Sequence, residues 1–128
     1  MIDKTADRKS ASHATRHFRH QRITAVLLIP LSVWILLFLH KAMTAPYADM
    51  LSWLVSPVNA GAIALWIIAV TYHAALGLQV VIEDYVSVIP LRRGAIYASH
   101  MFFLILAVAA LAAIVFILYT QGNYGFGL

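Results

Sequence analysis

The sequence predicts an all-α integral membrane protein with three transmembrane helices. Three observations carry that reading: the composition, the length of the apolar runs, and the placement of the charges. Of 128 residues, 62% are hydrophobic and only 11% are charged. Mean hydropathy is +0.84. An ordinary soluble domain is about 45–50% apolar and about 25% charged. A soluble fold of this size would expose more contiguous apolar surface than monomers tolerate. Composition therefore disfavours a soluble enzyme or regulator, and the length allows one domain.

Residues 1–22 are polar and basic and lack the apolar stretch of a cleaved signal peptide. Asp3 and Asp7 argue against a transit peptide, since those are poor in acids. Three apolar runs follow, at Ile23 to Leu39, about Asn59 to Ile82, and about Ile96 to Tyr119. At a rise of about 1.5 Å per residue, about 20 helical residues cross a hydrocarbon core of about 30 Å. Only helices satisfy their backbone within such a segment. The expected organisation is an N-terminal segment over 1–22 and a membrane domain over 23–120. Its helices are expected near 23–40, 58–83 and 95–120, with a tail over 121–128 on the opposite side.

The connections carry their own signals. Tyr47–Val55 lies between Pro46 and Pro57 and is rich in aromatic and apolar residues, so a short interfacial helix is expected. Ser56 followed by Pro57 reads as an N-cap and first helical residue. Pro90 to Gly94 reads as a sharp turn, and Pro30 predicts a kink inside the first span.

Six Lys and Arg residues precede the first span and Arg92 and Arg93 separate the second from the third, whereas only Lys41 lies between the first and second. The balance is eight against one, which places the N-terminus inside and the C-terminus outside. Net charge is +4, but the cations flank apolar runs, which argues against nucleic acid. The chain has no cysteine, which excludes disulfides, thiolate zinc sites and Cys-ligated iron–sulfur clusters within it.

His73 is the informative residue inside the spans. It lies nine residues before Ile82, about 14 Å from that end of the helix, close to mid-membrane. Ionisable groups at that depth face the protein interior and are functional by default. Three readings are open: a neutral imidazole bonded to a neighbouring helix, a metal or haem ligand, and a proton relay. Gly77 and Asp84 share a helical stripe with His73. Gly77 either clears space for a flat macrocycle or lets helices pack closely. Tyr85 offers a phenolic donor suited to a quinone carbonyl, or serves as an interfacial anchor. Glu83 and Asp84 otherwise read as a solvated loop. Arg22, at the mouth of the first span, either pairs with a carboxylate or marks the inner flank. His40 and His100 sit near span ends. His13, His17 and His20 have helical metal-ligand spacing without a third ligand.

The run from His73 through Gly77 to Asp84-Tyr85-Val86 resembles the second membrane helix of the cytochrome b membrane anchors (D subunits) of succinate dehydrogenase. Gln21-Arg22-Ile23-Thr24-Ala25 is similar to that family's approach to its first helix. Arg19 departs from the pattern, standing where related chains often carry an aromatic. The resemblance implies a heteromeric helical bundle with a second membrane anchor (C subunit), an iron–sulfur subunit and a flavoprotein subunit. It implies haem b shared with that anchor, ubiquinone as substrate, and FAD and iron–sulfur clusters in partner subunits only. On this resemblance His73 is an axial ligand of the haem iron and Gly77 packs against the haem. Arg22 lies near the propionates, Tyr85 bonds a quinone carbonyl and Asp84 orders that site. No catalysis is expected from this chain alone. The expected location is the bacterial inner (cytoplasmic) membrane, with the mitochondrial inner membrane as second choice. Two alternatives are a quinol:fumarate reductase anchor and a small transporter or assembly subunit with a His73–Asp84 proton path.

Overall fold

A computed structural model describes residues 4–124 of the chain, with side chains from Thr15 to Gln121. It contains four helices: α1 (Lys4–Thr44), α2 (Tyr47–Leu54), α3 (Pro57–Tyr85) and α4 (Ile89–Tyr124). No strand occurs among the described residues. Three helical stretches are long and apolar enough to cross a membrane: Thr15–Thr44, Pro57–Tyr85 and Ile89–Gln121.

The basic N-terminal segment is helical from Lys4 and runs into the first apolar stretch without a break. The boundary at residue 22 is therefore one of polarity, not of secondary structure. At 41 residues, α1 is about 60 Å long, twice a hydrocarbon core. It also runs on through Pro30. It stops before Pro46, whose ring disfavours helical backbone in the preceding residue.

The short interfacial helix forms as α2. Its Trp53 ring stacks on Phe38 of α1, with centroids 6.2 Å apart. Ser56 is the N-cap residue of α3 and Pro57 opens it, although the Ser56 side chain makes no capping bond. The Ala60 amide instead donates to the Ser56 carbonyl at 2.9 Å, the first bond of the helix.

The second turn falls earlier than the sequence suggests. Extended Val86 ends α3, and α4 begins at Ile89, so Pro90 to Gly94 are helical. Proline is tolerated in a first helical turn because its missing N–H has no intrahelical acceptor there. Helix α4 continues to Tyr124. The last four residues of the expected tail, 125–128, lie outside the described residues.

Helix α3 is the centre of the molecule. It packs on α1 at one side and α4 at the other, and among the described residues α1 and α4 make no contact with each other. Of the buried apolar residues, Ala60, Ile63, Ala69, Ala75 and Leu76 belong to α3. Alanine and glycine let backbones approach closely, which is how helices pack without a hydrophobic driving force between them. The remaining surface is apolar and open. Accessible area is 9599 Å², whereas a compact soluble chain of this mass exposes about 6,800 Å². The fold is thus a row of helices whose outer faces are suited to lipid and to other helices.

Candidate functional site

His73 stands half-buried on α3, facing α1. Its Nδ1 lies 3.0 Å from Oγ1 of Thr24. The same hydroxyl lies 3.0 Å from the carbonyl oxygens of His20 and Gln21. One residue back, the Tyr72 hydroxyl is 3.0 Å from Nδ1 of the His20 ring. One turn of α1 therefore holds two consecutive residues of α3. Nε2 of His73 has no hydrogen-bond partner among the described residues.

Gly77 lies one turn along α3, also toward α1. A Cβ placed there would meet Nε2 of Gln21 at 3.7 Å, an ordinary contact. The Gln21 side chain thus lies over Gly77 with room left for a methyl group.

These contacts set an antiparallel register. Thr24 meets His73 and Gln21 meets Gly77, while Ser32 meets Trp66 and Trp34 meets Asn59 further along. Arg22 falls at the level of α3 between His73 and Gly77, and Arg19 and Arg16 fall progressively nearer Asp84. The apolar run of α1 is shorter than that of α3, so its cations stand beside the last turns of an apolar helix. Arg22 is exposed, with its guanidinium carbon 5.4 Å from the Phe18 ring centroid. A cation over an aromatic face is held without an anion. His17 belongs to the same strip and carries a buried Nε2 with no hydrogen-bond partner among the described residues.

Asp84 and Tyr85 occupy the last turn of α3, away from His73. Both are exposed, Tyr85 at 85%. Glu83 accepts a 2.8 Å bond from Nε2 of Gln79. Between His73 and Asp84 the shared stripe holds Gly77 and Val80, neither of them titratable. The chain thus presents two separate places: a polar clamp around His73 and an exposed acid–phenol pair eleven residues on, about 16 Å along the axis.

Sequence reasoning singled out His73, Gly77 and Arg22 but not their partners. Thr24 carried a faint signal, as the first polar interruption of the first apolar run. His20 read only as one of three histidines in a basic segment. His13 lies in α1 with its side chain outside the described residues. Among the described residues, no group of three metal-binding side chains occurs. One imidazole with an unpartnered nitrogen could supply one donor to haem iron, which needs no such cluster.

Residues 5–116 match the family model described as succinate dehydrogenase/fumarate reductase transmembrane subunit. Three curated relatives are each a succinate dehydrogenase hydrophobic membrane anchor subunit. The relative from Rickettsia bellii is 37% identical over 88% of this chain and 90% of its own length. That from Rickettsia conorii is 32% identical over the same shares. That from Rickettsia felis is 32% identical over 89% of this chain and 92% of its own. No solved structure matches the chain significantly. A match along nearly the whole length, on a row of three membrane-crossing helices, assigns the chain to the succinate dehydrogenase/fumarate reductase transmembrane subunit family, the membrane-anchoring part of an oxidoreductase complex.

Proposed function

We propose that this chain anchors a succinate:ubiquinone oxidoreductase in a bacterial cytoplasmic membrane, N-terminus inside, and that His73 is one axial ligand of a haem b. The observation that carries the reading is the setting of His73. Its ring is half-buried at mid-helix, tied to α1 through Nδ1, with Nε2 unpartnered among the described residues.

The residues fit the group. An imidazole nitrogen is a standard axial donor, and an exposed guanidinium at the same level suits a propionate carboxylate. When bound, the haem supplies a one-electron redox centre. This chain would bring His73 alone to the haem, and a second ligand would have to come from a partner subunit. Gly77 and Gln21 keep α1 and α3 close beside the ligand, which holds the His73 ring against Thr24.

Tyr85 and Asp84 form the chain's part of a quinone site. The phenol donates a hydrogen bond to a quinone carbonyl, and the carboxylate beside it orders the polar groups there. Both residues are exposed on this chain, so partner subunits would have to complete the pocket. With no cysteine in the chain, iron–sulfur clusters belong to an iron–sulfur subunit, which passes electrons from a FAD-bearing flavoprotein.

The test is made in the assembled complex. His73→Ala is expected to abolish or perturb the b-type absorbance, and an unchanged spectrum overturns the ligand assignment. Tyr85→Phe is expected to lower succinate–quinone activity about 3- to 10-fold, the worth of one hydrogen bond. Succinate oxidation by a soluble dye stays near normal. Unchanged quinone activity removes Tyr85 from the site.

A further inference from the structure

We infer that Thr24 is a positioning residue for His73: its hydroxyl holds the imidazole as the Nδ1–H tautomer and reserves Nε2 for the metal. The inference rests on the reading of His73 as an axial ligand.

The argument counts protons. A threonine hydroxyl has one proton to give and two lone pairs to offer. Oγ1 of Thr24 lies 3.0 Å from two carbonyl oxygens, those of His20 and Gln21. Carbonyls only accept, and the hydroxyl has two of them on its own helix against one nitrogen across the seam. With its proton given to them, the oxygen presents a lone pair toward His73, and the nitrogen at 3.0 Å is then the donor. In a neutral imidazole, a proton on Nδ1 leaves the lone pair on Nε2. That is the form able to donate through Nε2 to iron.

The surroundings make this contact count. The contact is half-buried between the two helices, so water does not freely replace a lost partner. The hydroxyl is fixed by the helix that carries it, since its acceptors lie three and four residues back on α1. The same turn is pinned to α3 a second time through the His20 ring and the Tyr72 hydroxyl, 3.0 Å apart. Ring rotation at His73 would break a bond whose acceptor cannot follow. An Nδ1–H donor bond also raises the basicity of the ligand nitrogen. A more basic ligand favours ferric over ferrous iron and lowers the midpoint potential. A back-bonded threonine that merely satisfies itself within a membrane helix would do none of this.

The experiment compares Thr24→Val, Thr24→Ala and Thr24→Ser with the parent in the purified, assembled complex, alongside His73→Ala. Three readouts are taken: the midpoint potential of the haem, the low-spin ferric EPR signal, and the rate of haem loss on dilution into detergent. Thr24→Val and Thr24→Ala are expected to raise the potential, shift and broaden the highest g value, and speed haem loss about 10–100-fold, the usual cost of a missing outer partner. Thr24→Ser keeps the hydroxyl and is expected to behave like the parent. Thr24→Ala carries the test if the second methyl of valine disturbs assembly. If both hydroxyl-free variants match the parent, Thr24 has no positioning role, while His73 stands as ligand. If Thr24→Ser changes as much as Thr24→Val, the hydroxyl is not the operative group and the inference fails. If His73→Ala itself keeps the haem signals of the parent, the ligand reading fails first, and this inference with it.

Discussion

The two helix seams on α3 differ in how their polar groups are used. Across the α1–α3 seam, side chains reach from one helix to the other: Thr24 to His73, His20 to Tyr72, Ser32 to Trp66, and Trp34 to Asn59. At the α3–α4 seam, Tyr72 reaches away to His20 of α1, and the other polar side chains among the described residues turn back onto their own helices. Ser99 and His100 both use the carbonyl of Ile96, and Thr71 bonds the carbonyls of Ile67 and Ile68. Between those helices lies an open, almost wholly apolar cavity of about 360 Å³, lined by Tyr72, His100, Met101 and Leu104 among others. Helices in lipid have little hydrophobic reason to choose one register over another, so polar contacts choose it. The seam beside His73 has its register pinned at several levels. The other has no cross-helix side-chain hydrogen bond among the described residues.

If hydrogen bonds set the α1–α3 register, the largest structural effect outside the His73 clamp should come from Asn59. Its Oδ1 accepts from Nε1 of Trp34 at 3.0 Å, and its Nδ2 donates to the carbonyl of Trp53 at 2.8 Å. One side chain thus ties α3 to both α1 and α2. Asn59→Leu strands the Trp34 donor, leaves the Trp53 carbonyl only a 3.4 Å bond from the Ser56 amide, and is expected to cost about 1–3 kcal/mol. The check is the thermal midpoint of the assembled complex. A double-mutant cycle with Trp34→Phe isolates the cross-helix pair. Its coupling is expected near 0.6 and at most about 1.7 kcal/mol, the range measured for such bonds in membranes. Strict additivity would mean that the bond does not hold the register, and the contrast between the seams would lose its basis.

The same contrast explains what was legible beforehand. The all-α fold, the three spans, α2 and the Ser56–Pro57 start could be read directly, because lipid leaves a helix as the only way to satisfy the backbone. His73 was legible as an ionisable group at depth. Thr24 was not, because its importance depends on the register between residues 49 positions apart. Arg22 read as the mouth of a span, yet the register sets it level with the stretch of α3 just past His73. The turn after α3 was misplaced because Pro90 and Gly94 are turn residues by habit, while a first helical turn accommodates proline equally well. Each miss concerns where one helix stops or how two helices meet, which local pattern does not encode.

The smallest effect is expected at the apolar seam. Ala107 lines the cavity between α3 and α4, where the neighbouring side chains include Phe103 and Leu104. Ala107→Leu adds apolar volume to space already open, and no hydrogen bond depends on it. Filling such a groove replaces contacts that lipid tails otherwise make, so the net change should stay within about 0.5 kcal/mol. The haem spectrum and quinone activity are expected to match the parent, because His73 and Thr24 meet on the opposite side of α3. Nδ1 of His100 is committed to the Ile96 carbonyl at 2.8 Å, so a ligand in the cavity would have to use the far side of that ring. If Ala107→Leu alters quinone kinetics or the haem potential while the complex remains intact, then the cavity holds a functional ligand. The two seams would then share the chemistry that the side-chain pattern assigns to one of them.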